Sequence, residues 1–382
     1  MEGLTVKKLG NYSFYFLIIN ASCFFNLSFA ADYSGYFKSY PVLKSPVNKS
    51  KVTSLSNALK FQVNTNLVND IKFEASYELT LMLEKPSAHA EKLNTYRLID
   101  LKSYLHDEKP NTNHKITLLQ NLNRFNFNII TSEGDLTIGR TPVAFGVAKS
   151  ISPNDILTPM AFNTIDKEER TGVDSIIFKR PLTQEILLDA GVVLGADAKG
   201  SNSAFYLRPK LSRESLDLSL SLVHFKNKNS LGFELSHPIK DAGFWIDASY
   251  LTNNQTKYKD FFRGTTGIDY KFKNSFYLAA EYHYNGSSLG KSYPYPEDFI
   301  YLRDEHYGIF TMSYELTPLI ILSGQSYHNL KDNSMFLMPK AEYNLTDNSY
   351  LGLGFYLGTG NNLQSELGRA SNTYYASYRY YF

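Results

Sequence analysis

The sequence has one cysteine, Cys23, and one tryptophan, Trp245. Nowhere beyond residue 30 does it offer the roughly 18 to 20 consecutive apolar residues that a membrane helix needs. Each scarcity removes a class of protein. A lone thiol leaves no disulfide framework, no Cys-x-x-Cys-His haem motif and no thiolate metal site. The near balance of 39 basic and 37 acidic residues gives no electrostatic reason for a nucleic-acid partner. Past about Ser50 there is no linker, low-complexity tract or break in composition. One domain is therefore expected, although the length would suit two or three soluble ones.

Aromatic residues are plentiful, with 29 Tyr and 26 Phe. Residues 1–30 have the parts of a cleaved signal peptide: Lys7 and Lys8, an apolar stretch from Tyr12 to Phe25, and Ser28-Phe29-Ala30 as a small-x-small site. Asn20 breaks the apolar stretch, which is then short for a retained anchor, and it stands where a lipoprotein motif ending at Cys23 would want Leu. Loss of Glu2, Lys7 and Lys8 takes the formal net charge from +2 to +1 and leaves 31–382 as the mature domain. A chain exported yet membrane-bound without a helix has one architecture open to it. That is a closed β-barrel, because hydrocarbon satisfies no open sheet edge.

From Tyr33 onward the text falls into alternating segments of about ten residues. Leu216, Leu218, Leu220 and Leu222 oppose Asp217, Ser219 and Ser221; Ile71, Phe73, Ala75, Tyr77 and Leu79 oppose Lys72, Glu74, Ser76 and Glu78. One such strand fits a soluble sandwich as well. Charges recurring on the same face of many strands do not, since a dry core cannot hold them unpaired. Short links at Val68–Asp70, Glu133–Asp135, Thr183–Glu185, Arg213–Ser215, Ile239–Asp241, Lys273–Asn274, Thr317–Pro318 and Thr346–Asn348 alternate with connections that are often longer. The expectation is an all-β, single transmembrane antiparallel up-and-down barrel of about 18 strands, a count of 16 also being compatible. Tyr96–Leu105 is read as part of a loop, because one more strand would break even parity. A barrel of this size holds water rather than a packed core.

The last residues, Asn372–Phe382, place Tyr374, Ala376, Tyr378 and Tyr380 on one face and Tyr375, Ser377, Arg379 and Tyr381 on the other. A chain ending so on Phe resembles the closing strand of bacterial outer-membrane barrels. That resemblance implies Phe382, Tyr380 and Tyr378 as a signal for the barrel-assembly machinery, a bacterial outer-membrane location and both termini in the periplasm. A second resemblance lies in Ile138–Phe178. Gly139, Arg140, Phe145 and Gly146, then Pro153, Asn154, Asp155 and Pro159, then Arg170, Gly172, Val173 and Asp174 resemble a group of porin-like outer-membrane barrels. These carry a Gly-Arg strand end, an Asn-Asp and Pro-containing loop and an Arg-x-Gly-Val-Asp strand start. Phe145 replaces the Trp, and Thr141 the Gln, more usual there.

Val147–Glu169 would be the third external loop, the one that porin-like barrels often fold inward. Arg140, Asp155, Asp166, Arg170 and Asp174 are the residues expected to organise such an eyelet. By parity the lumen wall would carry Arg124, Arg208, Lys210, Asp217, Arg263, Lys271, Glu281, Lys340, Glu342 and Arg379, besides Lys60, Lys72, Glu74, Glu78, Glu234, Asp247 and Asp269. Both signs occur, so counting predicts no strong selectivity. His283 faces the lumen by parity, without a flanking serine motif; the other histidines lack metal-ligand spacing. Gly358–Asn362 is no phosphate loop, since no helix or Lys-Ser/Thr follows. Trp245 is an interfacial anchor or a sugar-stacking platform. No cofactor or metal is expected, nor an enzyme. The expected function is a porin-like channel for small hydrophilic solutes, embedded in outer-membrane lipid, with a homo-trimer in keeping with such barrels. A scaffold or sheath for a partner such as a multihaem cytochrome, and a barrel hydrolase, are the alternatives.

Overall fold

The computed structural model describes all residues except 1–30, 48–49, 85–95, 99–100, 102–103, 108–114, 254–259, 288–301 and 362–363. The expected leader, with Cys23, lies outside the described residues, as do parts of the long connections. The strands in chain order are β1 (Ala31–Ser45), β2 (Val52–Val68), β3 (Ile71–Glu84), β4 (Tyr104–Asp107), β5 (Lys115–Thr131), β6 (Gly134–Thr141), β7 (Val173–Pro181), β8 (Ile186–Leu194), β9 (Ala204–Arg213) and β10 (Leu216–Phe225). They continue as β11 (Lys228–Ile239), β12 (Ala242–Asn253), β13 (Phe261–Lys271), β14 (Tyr277–Asn285), β15 (His306–Thr317), β16 (Ile320–Asn329), β17 (Met335–Thr346), β18 (Ser349–Thr359) and β19 (Asn372–Tyr381).

Leaving β4 aside, each strand pairs antiparallel with the next one in sequence, and β19 returns to β1, closing an 18-strand barrel. The predicted class and count therefore hold. The described residues of Tyr96–Leu105 add no wall strand. The four-residue β4 pairs with Thr117–Leu119 of β5, above the stretch Phe125–Thr131 that the short β6 covers. It supplies hydrogen bonds to an edge that would otherwise be bare.

Alternation decides which face meets which solvent. In β10, Leu220 and Leu222 are exposed on the outer surface, while Ser219 and Ser221 are buried on the inner one. The same outward belt includes Phe61, Phe125, Ile176, Ile268, Phe310 and Leu353. Among the described residues no second sheet stacks over them. The short links all lie at the end holding both termini, here the turn end; the loop end carries the longer connections, with tight exceptions between β10 and β11 and between β16 and β17.

Closure is finished by the last residue. Phe382 N–H donates to Gly35 O (3.1 Å) and Gly35 N–H to Phe382 O (2.8 Å). A Cβ on Gly35 would strike the Lys60 carbonyl and the Phe382 ring. Tyr380 and Phe382 are exposed, and the Phe382 ring lies 5.8 Å from Phe61 and 6.2 Å from Tyr380. If the outer face meets hydrocarbon, Leu353→Arg at mid-strand lowers unfolding stability in lipid by about 2–4 kcal/mol. Ser323→Arg on the lumen face shifts it by less than about 0.5 kcal/mol. Urea titration of barrels in vesicles measures both.

Candidate functional site: a strap across the lumen

The connection between β6 and β7, residues 142–172, folds into the barrel. Gly146 sets its direction: its φ is +103°, and a Cβ there would meet the Ser152 hydroxyl and the Asp247 carboxylate. A side chain has neither the space nor the backbone conformation. From this bend, consecutive N–H groups donate to carboxylates on neighbouring strands. Gly146 reaches Glu234 on β11 (2.9 Å), Val147 and Ala148 reach Asp247 on β12 (2.9 and 3.1 Å), and Lys149 reaches Glu281 on β14 (2.8 Å). Asp269 on β13 pairs with the Lys149 ammonium. Asp247 and Glu234 are 0% and 1% exposed, a burial that carboxylates tolerate only with several donors. Asn154 adds a bond to Asp247 (2.7 Å), and Arg208 pairs with Glu234. Ser249 and Thr265 donate to the carbonyls of Pro153 (3.1 Å) and Ile151 (2.8 Å).

The far half of the strap reverses the polarity. Asp166 pairs with Lys38 of β1 (2.8 Å), and Glu168 with Lys38 (2.7 Å) and Arg379 of β19 (2.6 Å). Glu168 also accepts from the Tyr381 hydroxyl (2.7 Å), and Glu169 pairs with Lys60 of β2 and Arg124 of β5 (3.8 Å). Burial pulls the Glu168 carboxyl upward, but hydrogen bonds from Lys38, Tyr381 and Arg379 hold it at about 2. Apolar side chains seal both halves. Phe145, Ile156 and Leu157 pack with Tyr206, Val223 and Leu251, while Ile151 and Phe162 pack with Tyr327, Phe336 and Met338. The strap is thus pinned to β11–β14 on one side and to β19, β1, β2 and β5 across the ring.

Two cavities flank it. One of about 510 Å³ lies against β15–β17, where Thr311, Ser313, Ser323, Gln325 and Lys340 face the strap's Lys167. A smaller one of about 210 Å³ is lined by the strap itself, including Ser150, Asp155, Lys167 and Arg170.

The residues singled out from the sequence fall in several places. Arg170 pairs with Asp155 inside the strap and donates to Thr158 O (3.1 Å). Burial, with the nearby Asp247, pushes the Asp155 carboxyl up to about 6 against the pull of Arg170. Arg140 and Asp174 are not beside them. They pair with each other (2.7 and 3.0 Å) across β6 and β7, on the parity of the outward Ile138 and Ile176. There Asp174 also accepts from Leu98 N–H (2.8 Å), and Arg97 donates to Gly172 O (3.1 Å). This clasp holds the β6–β7 rim to the preceding long connection.

On the wall, Lys210 pairs with Asp189 (3.6 Å), Arg124 also with Glu74 (3.5 Å), and Lys340 and Arg379 share Glu342. Arg263 bonds Asn285 (3.0 Å) and Ser287 (2.7 Å). Toward the turn end, Lys271 pairs with Glu315 (3.3 Å), and Asp217 is exposed. Trp245 is neither an interfacial anchor nor a stacking platform: it is 2% exposed, donates to Glu281 (2.8 Å) and lies under the Lys149 ammonium (5.0 Å). The strap covers it. His283 is also buried behind the strap, with Nδ1 2.8 Å from Thr265 Oγ1, and lines neither cavity. Sequence reading missed Lys38, which is 0% exposed at the strap's far anchor. The alternation Tyr36, Lys38, Tyr40 carried that signal.

No protein-family model matches the chain, and no curated protein matches it. Solved structures do. Acinetobacter baumannii OccAB3 superposes with a TM-score of 0.55 at 11% identity, over 92% of this chain and 99% of that one. OccAB2 of the same organism gives 0.58 at 11%, over 92% and 98%. A BenF-like porin from Pseudomonas fluorescens Pf-5 gives 0.58 at 10%, over 92% and 98%. At these identities the likeness is one of fold.

Asp247→Ala removes the acceptor of two strap N–H groups and of Asn154. It is expected to lower stability by on the order of 3 kcal/mol and to open residues 150–165 to protease. Urea unfolding and mapped cleavage read the two effects; unchanged cleavage would mean that the apolar contacts alone hold the strap.

Proposed function

We propose that the chain is a porin-like channel of the bacterial outer membrane, through which small hydrophilic solutes diffuse passively. The observation that carries this reading is the strap. A closed barrel with an apolar exterior has a polar interior crossed by a loop fixed to both walls, and water-accessible space remains beside it. Such an arrangement restricts the size and charge of what passes without closing the path. Asp155, Asp166 and Arg170 organise the constriction by fixing the strap's shape and its far anchor; Arg140 and Asp174 contribute from outside, as the clasp that sets where the strap departs.

In this reading both termini are periplasmic, 1–30 is removed on export, and Phe382 with Tyr380 and Tyr378 is the segment recognised during assembly. A sheath for a partner protein is disfavoured by the same strap, which occupies the place where a threaded polypeptide would lie. Hydrolysis is disfavoured because the lumen-side histidine is covered.

Reconstitution into planar bilayers tests the proposal. Purified protein gives stable single-channel steps that larger sugars suppress. Replacing 156–165 with a shorter Gly-Ser link raises both unit conductance and the sugar size excluded. Absence of ion-permeable steps from folded barrels would overturn it.

A further inference from the structure

The charges around the two cavities almost all cancel in place. Lys149 is paired with Asp269, Arg170 with Asp155, Lys340 with Glu342, and Arg379 with Glu342 and Glu168. Asp166 is taken up by Lys38. Lys167 differs: among the described residues no carboxylate lies within ion-pair distance of its ammonium, although it lines both cavities. Its neighbours explain this. Asp166 and Glu168 both engage wall cations, so the side chain between them is left to face the open space. The wall opposite, built from Thr311, Ser313, Ser323 and Gln325, carries hydroxyls and an amide but no negative charge.

Resting on the channel reading above, we infer that Lys167 is the residue that sets the pore's preference among solutes, and that it favours small anions. Among the described residues, a solute moving past β15–β17 meets paired charges, whose fields cancel within a few ångströms, and one cation whose field does not. A small anion passing about 5 Å from a single unit positive charge, in water at about 0.1 M salt, is favoured roughly fivefold over a cation. Lys167 is reached by water yet ringed by protein. That enclosure lowers its ammonium toward about 8. The charge is therefore mostly present at pH 7 and mostly lost by pH 9, and the preference fades over the same interval. The groups lining the larger cavity with it are Tyr40 on β1, Tyr277 on β14, Lys340 on β17, Tyr356 on β18, and Tyr375 and Arg379 on β19, with Lys149, Asp166 and Glu168 of the strap. The smaller cavity adds Asp155 and Arg170.

The test is the reversal potential of the purified full-length protein in planar bilayers under a KCl gradient. Wild type at pH 7 shows a chloride-to-potassium permeability ratio above one, which falls toward one by pH 9. Lys167→Gln lowers the ratio about fivefold and abolishes its change between pH 7 and 9. Lys167→Glu inverts it, and Lys167→Arg keeps it at both pH values. Among the described residues Lys167 has no ion-pair partner to lose, and heat-modifiable migration of the folded barrel on SDS gels, which does not depend on the lumen charge, reports intact folding of each variant. A conducting wild-type channel with a ratio at or below one, or a Lys167→Gln channel with an unchanged ratio, overturns the inference and leaves the channel reading standing. Folded barrels that never conduct overturn that reading, and this one with it.

Discussion

Every backbone N–H and C=O of a segment crossing hydrocarbon must find its partner within the protein. In this chain the demand falls on one seam, where β19 meets β1. The first strand pairs with the last over Tyr36 to Ser45, and the terminal Phe382 adds two more bonds to Gly35. Without that seam β1 and β19 would be bare edges. With it, the interior is a separate, wet compartment, in which lysines and carboxylates stand on the same strands as outward leucines and phenylalanines.

That compartment makes the strap achievable. The strap offers backbone donors and a lysine to carboxylates on β11–β14, and its own carboxylates to cations on β1, β2, β5 and β19. Opposite polarity at the two ends fixes its orientation, since a reversed strap would set like charges against each other. The wall residues are consequently spent mainly on the strap rather than on solute. A count of lumen charges by strand parity therefore overstates how many fixed charges a solute would feel.

Much of the fold was legible beforehand. Period-two alternation gave strand faces, alternating short and long links gave the 18-strand count, and the tyrosine-rich end gave the closing strand. These properties are local: a strand's faces follow from the backbone pleat, and turn residues follow from a few dihedral angles. The described residues of Tyr96–Leu105 add no strand to the wall, as closure with both ends on one side requires, although Tyr104 pairs with β5.

Partnership was not legible. Arg140 and Asp174 stand in the same motif as Asp155 and Arg170, yet the tertiary structure sends the first two to an outward clasp and the last two to each other inside the lumen. Nothing in the sequence singled out a partner for Lys38; the strap, more than a hundred residues later, brings Asp166 and Glu168 to it. Trp245, read as an interfacial anchor or a stacking platform, and His283, read as lumen-facing, both lie beneath the strap. The sequence alone determined which face each strand residue takes, because alternation is a property of the chain itself. Which charges are cancelled and which is left over, Lys167 among them, was decided only by the tertiary structure. Ion pairing depends on distance through space, and that distance exists only once the barrel has closed around its strap.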